Sequence, residues 1–405
     1  MRRLTGLLLV AAVLATILAA VYHWRSPARM GELRAENLAQ PGSDVLVGVS
    51  WPFADDHDGL ADGMRLAQDE INAEGGPQVR LVRPTHHRFW NGTRRIAMQF
   101  ARDTDMSAVI GYHDDSEAIR ASSIYESSRL LHLVVGSTST ALTDHGNPYV
   151  LHTLVGADKV ARSLAHAEGG QRYAVVWEKD GQWDSLVAAY KVAQDTRGAD
   201  LAFQYAYSRS HADFRHAVIE LKTSPAQVVL FVGDQSAAGD FLARANAASL
   251  PQTIICTCAN TPAIKTIAGA GDGPGRILLL DFYDEHAASA GNRQFVTRFK
   301  ARYGHAPDTW AAQGYDALKL VGLAVRNTGS RLPDDLALAL RHQPAWEGAN
   351  GVLQFDESGE LAGKPVYLKR YRNGTLVSTT AALPAPEAPL RRPASGIGAR
   401  TASLP

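Results

Sequence analysis

The chain has 405 residues, too many for one small domain and enough for about two, and an apolar share of 45% can furnish real cores. Forty-one basic and forty-one acidic residues cancel. With no global field of either sign, nucleic acid is disfavoured as a partner.

Arg2 and Arg3 precede nineteen uncharged residues, 4–22, and His23 and Arg25 follow. A helix of that length spans roughly 28 Å, close to a bilayer core, and positive residues placed first keep its start cytoplasmic. The best cleavage position, after Ala20, has Leu18 where a small residue belongs, so residues 1–25 are predicted to remain as a signal anchor. Residues 26–43 are polar with scattered Pro and Gly and read as a tether. The body of the protein is then periplasmic, held on the outer face of the inner membrane.

The core begins at Asp44. Val45, Leu46, Val47 and Val49 form a nearly continuous apolar run, as strands of a parallel sheet covered on both faces do. Leu60, Met64, Ala67 and Ile71 then recur at helical spacing, Gly63 on their face lets backbone approach backbone, and Gly75 and Gly76 stop the helix. Further strands are predicted at VRLVRP (79–84), SAVIGY (107–112), LLHLVVGS (130–137), RYAVVWEK (172–179), LAFQYAYS (201–208), QVVLFVGD (227–234), TIICTC (253–258) and RILLLDF (276–282), with helical stretches between them. Such alternation implies an α/β fold of parallel sheets with helices on both faces. Cys256 and Cys258 are the chain's two cysteines, sit two apart on one strand and read as small core thiols. Residues 379–405, rich in Pro, Ala and Ser, read as a disordered tail.

The order of several pieces carries a resemblance. The first strand with its S-x-P turn, the helix ending EINAEGG (70–76), AVIG (108–111), SSIYE (122–126), STSTALT (137–143), YDALKL (315–320) and GANGVLQFDESGE (348–360) resemble the leucine/isoleucine/valine-binding family of type 1 periplasmic binding proteins, over roughly residues 44–375. The resemblance implies two Rossmann-like lobes with parallel sheets joined by a three-strand hinge, and closure on a small ligand in the cleft. The crossings are placed near 151–155, 280–283 and 346–348. Lobe 1 is then 44–153 with 283–346, and lobe 2 is 154–282 with 347–378.

Ligands of open α/β sheets sit beyond the carboxyl ends of the strands. That places Trp51, Asp56, Gly136, Thr138, Trp183 and Asp234 at the cleft, with Trp51 and Trp183 as walls. In the amino-acid-binding relatives the turn after the V-I-G strand presents Ser and backbone N–H groups to the ligand carboxylate. An ungapped count places Asp115 at that Ser, with Ser116 beside it, and Cys258 where relatives carry an acid for the ligand ammonium. Both departures turn the expectation from an aliphatic amino acid toward a ligand with a cationic or hydrogen-bond-donor end, since a carboxylate beside Asp115 would face a like charge. Asp58 and Asp114 also suit helix capping, Asp114 with Glu117 as a capping box. His57, His113 and nearby acids could ligate a metal, although no regular spacing ties them together.

No G-x-S-x-G, H-E-x-x-H, Walker A or strand-linked G-x-G-x-x-G occurs, so the reading is a binding protein without cofactor or metal and not an enzyme. The expected role is a monomeric extracytoplasmic solute-binding protein handing an amino-acid-like, cationic or amide ligand to ABC permease subunits. A membrane-tethered sensor or accessory subunit is the alternative, and an exported hydrolase a lesser one.

Overall fold

The structure, a computed structural model, describes residues 26–40, 42, 44–52, 58–84, 92–168, 171–179, 183–257, 267, 277–372 and 375–379. The expected anchor lies outside these residues, as do Asp56, His57, Cys258 and the expected tail beyond Thr379, which itself donates to Leu368 O through its N (2.8 Å) and Oγ1 (2.9 Å).

The first sheet contains β1 (Asp44–Ser50), β2 (Gln78–Val82), β3 (Met106–Gly111), β4 (Leu131–Val134) and β5 (Val150–His152), in the order β2-β1-β3-β4-β5. All its neighbours run parallel. The second begins with β6 (Arg172–Glu178), β7 (Asp200–Tyr207), β8 (Val228–Val232), β9 (Thr253–Cys256) and β10 (Ile277–Asp281), parallel in the order β7-β6-β8-β9-β10. The two halves thus repeat one winding. Strands β11 (Trp346–Gly348) and β12 (Gly351–Leu353) form a separate hairpin, and β13 (Tyr367–Arg372) and β14 (Thr375–Ser378) extend the second sheet antiparallel beyond β10.

Central strands are buried on both faces, β3 and β8 along their whole length, which is why they read as unbroken apolar runs. Helices Gly59–Ala73 and Thr309–Thr328 cross closely on the first lobe. A Cβ on Gly63 would lie 1.9 Å from the Ala311 carbonyl oxygen, and one on Gly314 2.5 Å from that of Leu60, so only glycine permits the crossing.

The chain leaves the first core at Leu151 and enters the second at Leu154; it returns between Phe282 and Tyr283 and crosses again between Leu361 and Val366. The third passage therefore lies beyond the expected 346–348. Those residues pair with β12, and the Asp316 carboxylate closes the hairpin turn by accepting from Ala349 N (2.7 Å) and from Asn350 N (2.8 Å) and Nδ2 (2.7 Å). Residues 347–361 consequently stay with the first lobe.

The expected tether is also different. Helix Pro27–Leu38, capped by Ser26, docks on the first lobe, burying Gly31, Arg34 and Leu38. The Arg34 guanidinium, 0% exposed, donates to the carbonyl oxygens of Ser128, Ala101 and Asp103.

Candidate functional site

In both sheets the winding reverses beside the first strand, between β1 and β3 and between β6 and β8, and these two switch points face each other across the interlobe cleft. The turn after β1 brings Trp51, that after β3 brings His113, and that after β8 brings Gly233 to Ser236. The later return of the chain through the first lobe adds Asp308, Thr309 and Trp310. These residues enclose a cavity of about 820 Å³, the size of a small-molecule site.

Its walls are aromatic. Trp51 meets His113 edge-on at 4.8 Å and Trp310 at 5.0 Å, while from the second lobe Trp183 meets Phe282 edge-on at 5.5 Å. Trp183 adopts a left-handed backbone (φ 61°), uncommon for a bulky residue, and its indole Nε1 donates to Gly136 O at 2.8 Å across the cleft. The same walls are acidic, with Asp58, Asp234, Asp281, Asp284, Glu285 and Asp308 in the lining. Lys369 is partly neutralised by Asp281, its Nζ lying 2.8 Å from Oδ2. Burial lowers the His113 ring to about 4, with Asp114 opposing and Arg209 reinforcing the shift, so at neutral pH it adds no positive charge. Asp308 itself stays open to solvent at the cleft, yet the protein mass around it lifts its carboxyl above the ordinary range; the Ala311 amide opposes this, and Asp58 and Asp281 add to it.

Several acids are also structural. Asp58 accepts from Leu60 N (2.9 Å), Asp114 from Glu117 N (2.8 Å), Asp234 from Ala237 N (2.9 Å) and Asp308 from Ala311 N (2.8 Å), each at a helix start. Asp234 also lies 3.5 Å from Arg209, and Asp281 accepts from the Thr309 hydroxyl of the opposite lobe.

Of the residues singled out from sequence, Trp51, Trp183 and Asp234 line the cavity, as do Asp58 and His113. Asp115, Gly136 and Thr138 gather instead at a contact between the two lobes beside it. Asp115, 7% exposed, accepts from Ser137 Oγ and Thr138 N of its own lobe and from Ser185 of the other. Gly136 offers its carbonyl to Trp183, and a Cβ there would lie 2.6 Å from Tyr112 O. Ser116 is taken up locally, donating to Asp114 at 3.0 Å and accepting from Arg120 at 2.9 Å. Cys256 is buried and disulfide-bonded, where the sequence reading favoured a reduced core thiol; exported chains fold where thiols oxidise. Asp308, Trp310, Asp281 and Lys369 were not anticipated. The Asp308-Thr309 pair before an apolar helix is legible as a cap, but only the return of the chain brings it to the cleft.

A family profile described as periplasmic binding protein matches residues 45–375. An amino acid binding protein of Pseudomonas aeruginosa is 22% identical over 337 residues, covering 79% of this chain and 88% of the relative. The leucine-specific-binding protein of Salmonella typhimurium is 25% identical over 329 residues, 79% of this chain and 87% of that one. Among solved structures, an ABC transporter substrate-binding protein of Desulfitobacterium hafniense in complex with Leu superposes with a TM-score of 0.70 at 28% identity, over 83% of this chain and 99% of that one. An R. palustris solute binding protein in complex with benzoate gives a TM-score of 0.73 at 18% identity, over 84% and 97%. The two lobes of like winding, the cleft at their facing switch points and the match across nearly all of the described body have one explanation: this chain belongs to the periplasmic binding protein family, in its leucine/isoleucine/valine-binding type 1 branch.

Proposed function

We propose that this protein is the solute-binding component of an ABC-type importer, closing about its three crossing strands on a small ligand that carries a cationic or hydrogen-bond-donor end. The observation that carries the ligand class is the cavity lining: Trp51, Trp310 and Trp183 supply aromatic surface and Asp308 an exposed carboxylate, while Asp234 and Asp281 already answer to Arg209 and Lys369. Convergent acids are costly to enclose unless something positive joins them, and ring faces attract cations. A ligand ammonium or amidinium beside Asp308, which is open to the cleft, would stabilise its ionised form. The importer role is supported by relatives named as amino-acid-binding and ABC substrate-binding proteins.

The test is a thermal-shift panel of amines, amides, basic amino acids, leucine and benzoate, followed by calorimetry on the best ligand. Asp308→Asn keeps a good helix cap and removes the charge, so binding of a cationic ligand should weaken by about 1.5 to 3 kcal/mol. Preference for leucine or benzoate, undiminished in Asp308→Asn, would return the site to the ligands seen in its relatives.

A tethered sensor or accessory subunit is the second reading, and the docked helix favours it. With helix Pro27–Leu38 fixed on the first lobe, few residues separate the apolar segment 4–22 from the folded body, so an uncleaved anchor would hold that lobe at the membrane. The expected outcome of fractionation is a membrane-bound protein whose mature amino terminus precedes residue 21. A soluble periplasmic form starting near Val21 rules out the anchor and leaves the binding role standing.

A further inference from the structure

The Asp115 carboxylate sits in a setting made for a free anion. Ser137 Oγ (2.6 Å) and Thr138 N (3.0 Å) donate to Oδ1, and from the opposite lobe Ser185 Oγ (2.5 Å) and, at longer range, Ser185 N (3.4 Å) donate to Oδ2. Two donors per oxygen, all neutral, is the pattern by which proteins hold a carboxylate. The donors are themselves held. Ser139 N donates to Ser137 Oγ at 3.1 Å, which turns the Ser137 proton toward Asp115, and the His152 ring holds the Ser137 carbonyl at 2.5 Å. Thr138 Oγ1 and Ser185 Oγ lie 3.3 Å apart, so the set is continuous across the lobes.

We propose that Asp115 is a resident occupant of an interlobe carboxylate subsite: its side chain fills a donor set shared by both lobes, which bars carboxylate-bearing ligands from that place and leaves the adjoining cavity to ligands recognised through a non-anionic end. This deepens the reading of the cleft as a ligand site and rests on it for the consequence, while the subsite itself rests on the four hydrogen bonds. An incoming carboxylate would meet a like charge already holding every donor. Truncating Asp115 leaves Ser137 Oγ, Thr138 N and Ser185 Oγ converging on a space the size of a carboxylate, with buried donors that gain by being satisfied.

The experiment is rescue by acetate. Asp115→Ser and Asp115→Gly are melted alongside wild type in sodium acetate and in sodium chloride of equal ionic strength, with acetamide as neutral isostere. Acetate should raise the melting temperature of the variants by about 3 °C over chloride, the scale expected at several times the Kd, with no comparable rise for wild type or for acetamide. Folded variants that melt alike in acetate and chloride overturn the proposal. A loss of folding in both variants that acetate does not reverse overturns it as well, because Asp115 would then be a packing residue only. A wild-type protein that takes nothing from the small-molecule panel defeats the ligand reading and leaves the acetate contrast intact.

Discussion

Lys364 shows what a crossing segment does to a charge. It is 2% exposed at the third passage, and its Nζ donates to the Thr153 carbonyl of the first at 3.1 Å. Burial lowers the ammonium from its usual 10.5 to about 7, with Asp316 and Asp281 opposing the fall. The sign of the stability effect follows from proton counts. Between about 7 and 10.5 the unfolded chain holds a proton on Lys364 that the folded chain does not, so stability rises with pH across that window, by up to about 1.4 kcal/mol per pH unit; below 7 both states are protonated and the penalty is complete. Lys364→Met removes the titration. Denaturant unfolding at pH 7 and pH 9 should show the wild type gaining on this variant as pH rises, and parallel pH curves would mean that Lys364 titrates normally.

At the scale of elements, helix Pro27–Leu38 and the hinge mark where sequence patterns stop being informative. The central parallel strands are legible because they are buried on both faces and read as apolar runs, while the edge strands β2 and β7 are half open. The docked helix was not, since its buried positions, Gly31, Arg34 and Leu38, follow helical spacing without forming an apolar stripe. Arg34 serves the last carbonyls of helix Gly92–Arg102 and the cap of helix Asp115–Ser127, oxygens with no partner within their own helices and at the negative end of each dipole. No local pattern announces such a role. Within the site, Trp51, Trp183 and Asp234 were legible as strand-end residues, whereas Asp308 and Trp310 reach the cleft only through a long-range return. Arg34→Ala should strip buried carbonyls of their donor and cost about 3 kcal/mol, with earlier proteolysis of the amino-terminal helix. Arg34→Lys should recover part of the loss, because an ammonium cannot reproduce the planar fork. Equal stability of wild type and Arg34→Ala would show the docking to be energetically idle.

At the scale of the molecule, two lobes of equal winding share hydrogen bonds across the cleft, among them Trp183 to Gly136, Asp115 to Ser185 and Thr309 to Asp281. Each pairs a group from one lobe with a group from the other, so each biases the hinge toward closure in its own right. A net hydrogen bond of about 1 kcal/mol shifts a two-state equilibrium roughly fivefold. The Trp183 bond can be removed with Phe, which keeps an aromatic ring against Phe282 but is smaller and has no Nε1–H to reach Gly136. Trp183→Phe should therefore enlarge the radius of gyration measured without added solute, by shifting molecules to the open form. A saturating ligand should restore the wild-type value, because ligand contacts to both lobes substitute for the lost bond. Scattering curves that coincide for wild type and variant would show that closure is governed elsewhere, in the crossing segments themselves.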